Sequence, residues 1–230
     1  NPVLARIAGA RCMKTVGVHG FYPVVDDVRW VRRLLPLGVR TIQLRIKERS
    51  AADLQRQIRE ALAIAADYAD CQLIINDYWR EAITTGARWL HLGQGDLVAA
   101  DRAAIRAAGI KLGISTHSPE ELANALDARP EYIALGPIYE TTLKKMPWSP
   151  QGLDRIGEWK VRCDIPLVAI GGITLERAPA VLAAGADSIA VVSDVLNAPN
   201  PDDRARAWLD LFRATTERAA PPQRSPANSG

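Results

Sequence analysis

The chain has 230 residues, with 29 Lys and Arg against 26 Asp and Glu for a net charge of +3, and 48% of it is hydrophobic. That length suits one domain or two small ones, with apolar residues enough for one large core. A charge this small, with no basic run, argues against a nucleic-acid partner; no apolar stretch has the length of a membrane span; and Cys12, Cys71 and Cys163, odd in number and far apart, argue against a disulfide framework or a zinc knuckle.

Taken in chain order, short β-branched runs alternate with amphipathic stretches. Phe21–Asp26 reads as a strand, followed by a helix over Asp27–Leu37 that begins on acidic residues and stops before Gly38. Arg40–Arg45 comes next, then Ser50–Tyr68, which opens on an N-cap serine and carries Leu54, Ile58, Leu62 and Ala65 along one face. Gln72–Asp77 leads into a short helix, Trp79–Thr85, and Trp89–Gln94 into Asp101–Ala108; glycines follow both helices. Lys111–Thr116 precedes Ser118–Ala128, with Ser118 as the cap and Pro119 at the first helical position. Tyr132–Pro137, Leu167–Gly172 and Ser188–Asp194 complete the strands; Leu153–Val161, Thr174–Ala184 and Pro201–Arg213 complete the helices.

Several strand centres are continuously apolar, as in Leu73-Ile-Ile and Ile189-Ala-Val-Val, which is the pattern of strands buried on both faces in a parallel sheet. Five or six strands would be commoner in an open doubly wound sheet. Eight alternating units in 230 residues predict a compact α/β fold, the (β/α)8 TIM barrel. The barrel is expected over residues 16–215, with an N-terminal extension at 1–15 and a disordered polar tail at 216–230. Asn1–Lys14 has no apolar core of signal-peptide length, and a reducing, cytoplasmic compartment is expected.

A barrel of this kind places its site at the C-terminal ends of the strands. The second strand ends in Gln43-Leu-Arg45-Ile-Lys47, where alternation points the amide and both cations one way. A polyphosphate clamp and a rim salt-bridge cluster are equally good readings of that segment. The third ends in Asn76-Asp77 and the fourth in His91-Leu-Gly-Gln94-Gly-Asp96. Asp77 and Asp96 can face each other across the mouth as a Mg²⁺ site, because Mg²⁺ takes few protein ligands and keeps its waters. Alternatively Asp77 caps the next helix and Asp96 a turn. Ser115 and His117 share a parity at the fifth strand end; His117 reads as scaffold, His91 as a residue of the core, and His19 has no context. The long segment after the sixth strand, Gly136–Gly152, carries hydroxyls and lysines and reads as a lid. Gly171-Gly172 and Val192-Ser193 end the last two strands, the first of them directly before a helix. They read as a cup for a phosphate monoester, with backbone N–H groups and a helix N-terminus turned to the anion. No strand end offers an evident nucleophile beside a base.

Together these segments resemble the thiamine-phosphate synthase family. The matching pieces run in order over about residues 20–195: Tyr22–Asp26, Gln43–Lys47, Asn76–Tyr78, His91–Asp96, Gly113–His117, Ala134–Pro137 with Thr141 and Lys144, Ala169–Ile173 and Ala190–Ser193. The resemblance implies an enzyme that condenses 4-amino-5-hydroxymethyl-2-methylpyrimidine diphosphate with 4-methyl-5-(2-phosphoethyl)thiazole by a dissociative displacement. It implies that Gln43, Arg45, Lys47, Asn76, Ser115 and Lys144 contact the pyrimidine diphosphate, with Arg45, Lys47, Ser115 and Lys144 as the catalytic set. It implies that Asp77 and Asp96 ligate Mg²⁺, and that Thr141, Gly172, Val192 and Ser193 hold the thiazole phosphate, with Thr142 and Leu143 beside them. The family's lid commonly reads Pro-Thr-x-Thr-Lys; here it is Glu140-Thr141-Thr142-Leu143-Lys144, so Leu143 stands in place of the second hydroxyl. The expected partners are small phosphorylated molecules. Two rival readings are a thiazole tautomerase of the same barrel family, which has no use for the diphosphate set, and a non-catalytic phosphate-ligand sensor.

Overall fold

A computed structural model describes residues 18, 20–141 and 148–219. Eight parallel strands close into a barrel in chain order: β1 Phe21–Val25, β2 Thr41–Leu44, β3 Gln72–Asn76, β4 Trp89–Leu92, β5 Lys111–Thr116, β6 Tyr132–Leu135, β7 Leu167–Ile170 and β8 Ser188–Val191. β1 pairs with both β2 and β8, which closes the ring. The helices are α1 Val28–Leu34, α2 Ala51–Ala66, α3 Trp79–Thr85, α4 Gln94–Ala99, α5 Arg102–Ala107, α6 Pro119–Asp127, α7 Gly152–Arg162, α8 Ala178–Ala183, α9 Ser193–Leu196 and α10 Pro201–Ala219. None of the described helices is long and apolar enough to cross a membrane.

The predicted barrel and its alternation are present, with differences in detail. Several strands stop one to three residues before their expected ends, because past the barrel mouth the chain turns outward and ladder pairing stops. Two one-turn helices, α4 and α9, fill stretches read as loop or strand. Neither is legible from pattern: α4 holds Gly95 and leaves Val98 88% exposed, and α9 is four residues long. The helix at the end of the barrel continues to Ala219, past the expected stop at Arg213 and into the expected tail. Residues 1–17 and 220–230, and the lid residues Thr142, Leu143 and Lys144, lie outside the described residues, as does His19.

The caps follow local chemistry. Asp27, Ser50, Asp101 and Ser118 each accept a hydrogen bond from a backbone N–H in the first turn of their helix. Between strands and helices lies the larger core, including Val31, Leu34, Ile42, Ile58, Trp159 and Trp208. A second cluster fills the barrel itself with Tyr22, Val24, Ile74, Trp89, Tyr132, Ala134, Val168 and Ala190. Parity along each strand sorts the two sets: on β5, Gly113 and Ser115 face the barrel interior while Ile114 and Thr116 face the helices.

Thr116 joins the layers, donating to the carbonyl of Ala134 at 2.9 Å and accepting from the Trp159 indole N–H at 2.8 Å. Thr116→Val keeps the shape but strands a fully buried indole donor. Denaturant titration is expected to show a loss of about 1–3 kcal/mol. A loss under roughly 0.5 kcal/mol would show that this bond does not join strand to helix energetically.

Candidate active site

The barrel mouth holds a cavity of about 440 Å³. Gln43, Arg45, Lys47, Asn76, Asp77, Asp96, Ser115, Thr141, Gly172, Val192 and Ser193 all line it. Every site residue expected from the sequence that is described therefore meets in one space. Backbone bonds just past the strand ends do part of the positioning. Arg45 N donates to Val25 O at 2.7 Å, and Asp77 N to His91 O at 2.9 Å, which holds both residues at the rim.

Asp77 has φ +64°, a left-handed conformation uncommon for residues with a side chain and tolerated best by Asn and Asp. Its carboxylate takes a hydrogen bond from Lys47 Nζ at 2.5 Å. It does not cap α3, whose N-cap is Tyr78 without a side-chain bond, so that alternative is set aside. Asp96 sits in the first turn of α4 within hydrogen-bonding reach of Asp77. Burial first, and then the Asp77 charge beside it, hold the Asp96 carboxyl above its ordinary range. Two crowded carboxylates with one cation between them and solvent form a donor set that suits a hard divalent ion retaining waters. No cluster of three or more His, Cys, Asp or Glu able to hold a metal occurs among the described residues, so such an ion would depend on water and ligand oxygens for its other positions.

Asn76 is 5% exposed, and its Nδ2 is a buried side-chain polar atom with no hydrogen-bond partner. A buried amide donor left unpaired costs free energy that a ligand acceptor would recover. Gln94, the first residue of α4, ties β4 to β5 by donating to Ser115 O at 2.7 Å.

Across the mouth, Glu140, Thr141, Gly172, Ile173, Thr174, Arg177, Ser193 and Asp194 line a side pocket of about 350 Å³. Gly172 has φ +64°, and a Cβ there would lie 2.3 Å from Glu140 O, so the close approach of these two segments requires glycine. Arg177 donates to Gly172 O at 2.6 Å and lies over the Tyr139 ring at 4.5 Å. Sequence reasoning missed Arg177, whose place in the expected seventh helix gave no sign that it faces the cup. Behind the cup, Asp194 accepts from Arg204 and from the Trp208 indole at 2.7 Å, and Arg204 also pairs with Glu176.

The histidines divide. His117 is held by hydrogen bonds, its Nδ1 and its backbone N both bonding Glu121 at 2.7 Å, its ring stacks on Trp148, and it too lines the cavity. His91, read as structural, is buried at 6% exposure and also borders the cavity. It lies inside the barrel, with Nδ1 2.9 Å from Tyr132 Oη and Nε2 2.8 Å from Ser115 Oγ. The Ser115 contact brings a hydroxyl and an imidazole together, and which of the two donates depends on the tautomer of the ring. Burial pulls the His91 imidazole down to about 4, so the ring is neutral near pH 7. Tyr22 and Tyr132 continue the contact inward, and burial pushes both phenols well up.

The family model for thiamine monophosphate synthase matches residues 21–195. The chain is 58% identical over 190 residues to a thiamine-phosphate synthase of Rhizobium etli, covering 82% of this chain and 93% of that protein. It is 54% identical over 193 residues to one of Cronobacter sakazakii, covering 84% and 91%. Among solved structures, a thiamine phosphate pyrophosphorylase from Pyrococcus furiosus superposes with a TM-score of 0.76 at 26% identity, covering 85% of this chain and 96% of that one.

Proposed function

The chain belongs to the thiamine monophosphate synthase family and is a transferase of thiamine biosynthesis, and from that premise we propose that it joins a pyrimidine diphosphate to a thiazole phosphate with release of pyrophosphate. The observation that carries the reading is that one cavity has two different anion-holding ends. The β2–β4 side offers Arg45, Lys47 and the carboxylate pair; the β7–β8 side offers the glycine cup and Ser193. A diphosphate and a phosphate monoester fit those ends in turn, and their organic parts meet between them.

In this reading Gln43, Asn76 and Ser115 hold the pyrimidine, and the orphan Nδ2 of Asn76 donates to it. Arg45, Lys47 and Lys144 bind the diphosphate and bear more of its charge as the methylene C–O bond breaks and the electron pair leaves with pyrophosphate. Thr141, Gly172, Val192 and Ser193 hold the thiazole phosphate so that the ring nitrogen forms the new C–N bond. Asp77 and Asp96 would hold Mg²⁺, which when bound supplies further charge neutralisation to the leaving group. The barrel contributes positioning and electrostatics, and no side chain forms a covalent bond. Lys47 pairs with Asp77 in the structure, with its ammonium at the mouth where the diphosphate would lie.

The deciding experiment incubates the chain with both substrates and Mg²⁺. Thiamine phosphate and pyrophosphate in equal amounts are expected. Turnover of the thiazole compound alone would favour a tautomerase, and binding of either phosphate without turnover a sensor; both would overturn the proposal.

A further inference from the structure

We infer that Gln43, Tyr22, Tyr132 and His91 form a one-directional hydrogen-bond relay that fixes the Ser115 hydroxyl as a donor into the cavity, toward an acceptor atom of the pyrimidine ring; the inference rests on the reading of this cavity as the pyrimidine diphosphate site.

The direction follows from counting protons. The Gln43 amide donates through Nε2 to Tyr22 Oη at 2.6 Å. Tyr22 is 1% exposed, and its other partner is Tyr132 Oη at 2.9 Å. An amide N–H cannot accept, so the Tyr22 proton goes to Tyr132. Tyr132, fully buried, then has one remaining neighbour for its own proton, His91 Nδ1 at 2.9 Å. Nδ1 is therefore bare, and a ring protonated there would leave one of the two phenol protons without an acceptor. The imidazole hydrogen sits on Nε2 and is donated to Ser115 Oγ at 2.8 Å. The phenol and imidazole groups of the relay are all satisfied this way, and the Ser115 hydrogen is left over for the cavity that Ser115 lines.

Register builds the relay. His91 pairs with Gly113, and Gly113 with Tyr132, so the three lie at one level around the barrel. A Cβ on Gly113 would stand 2.0 Å from Tyr132 Cζ. The missing side chain is the gap through which the phenol of β6 crosses β5 to reach β4. The consequence for the Ser–His pair is specific: His91 donates to Ser115 and is no base for it. Ser115 is a positioned donor, and His91 and Tyr132 are positioning residues that act through it.

The first test needs no substrate. The chain has three histidines, so ¹⁵N-histidine labelling with H19Q and H117Q identifies the His91 signals by elimination. A pyridine-type Nδ1 and a pyrrole-type Nε2 are expected. The reverse tautomer, or two pyrrole-type nitrogens, overturns the relay. The second test is kinetic. Y132F is expected to raise KM for the pyrimidine diphosphate about tenfold, leave KM for the thiazole phosphate within about twofold, and make S115A nearly silent in its background. An unchanged pyrimidine KM in Y132F, or full additivity with S115A, overturns the positioning role. If the tautomer is as inferred and the wild-type chain forms no thiamine phosphate, the relay stands and the functional reading falls.

Discussion

Asp77→Asn and Asp96→Asn are each expected to lower turnover by at least about a hundredfold at limiting Mg²⁺, the scale on which loss of one preorganised charge-stabilising group is felt. The fold should be unaffected. Asp96 is held above its ordinary range by burial and by Asp77, so removing its charge relieves repulsion in the metal-free protein and thermal stability should hold or rise slightly. Asp77→Asn removes the partner of Lys47, but that bond lies at a half-exposed lysine and contributes no more than about 1 kcal/mol. Asn also keeps the left-handed backbone at position 77. The two variants should therefore separate cleanly into normal unfolding curves and lost activity. Raised Mg²⁺ should recover part of the rate, because a neutral amide oxygen is a weaker ligand but still a ligand. Near-wild-type turnover at limiting Mg²⁺ in either variant would remove the carboxylate pair from the reaction.

Gly172→Val is expected to remove saturable binding of thiazole phosphate. The new Cβ would meet Glu140 O at 2.3 Å and Tyr139 Cβ at 2.8 Å, and the backbone there has φ +64°. A β-branched residue is poorly suited to that conformation, so the loop after β7 must move away from the segment after β6. Both segments line the side pocket. The strain should cost about 1–3 kcal/mol of stability, which a compact barrel withstands, and the phosphate contact should fail before the fold does. Calorimetric titration with thiazole phosphate, beside far-UV dichroism to show the barrel intact, gives the answer. A dissociation constant within about threefold of wild type in a folded variant would mean that the phosphate binds elsewhere. Pyrimidine diphosphate binding is the internal control, since Arg45 and Lys47 follow the end of β2 and Asn76 ends β3, away from the loop after β7.

The sequence by itself determined the barrel and most of its mouth. Runs such as Leu73-Ile-Ile, apolar on consecutive residues, read as buried on both faces, and eight strand segments alternating with helical ones point to a closed parallel ring. Residues at the strand ends were legible because the fold sends all such ends to one place: Gln43, Asn76, Asp77, Ser115 and Gly172 are each the last residue of a strand, or close to it. What only the tertiary structure decided is which side chains meet at one level inside that ring. Tyr22 and Tyr132 bond across 110 residues of chain, and Tyr132 reaches His91 over Gly113. Neither contact leaves a local trace, because strand register around the barrel and the room left by a missing Cβ are products of packing all eight strands together. His91 therefore reads as core from its neighbours in sequence and becomes part of the site only through its neighbours in space.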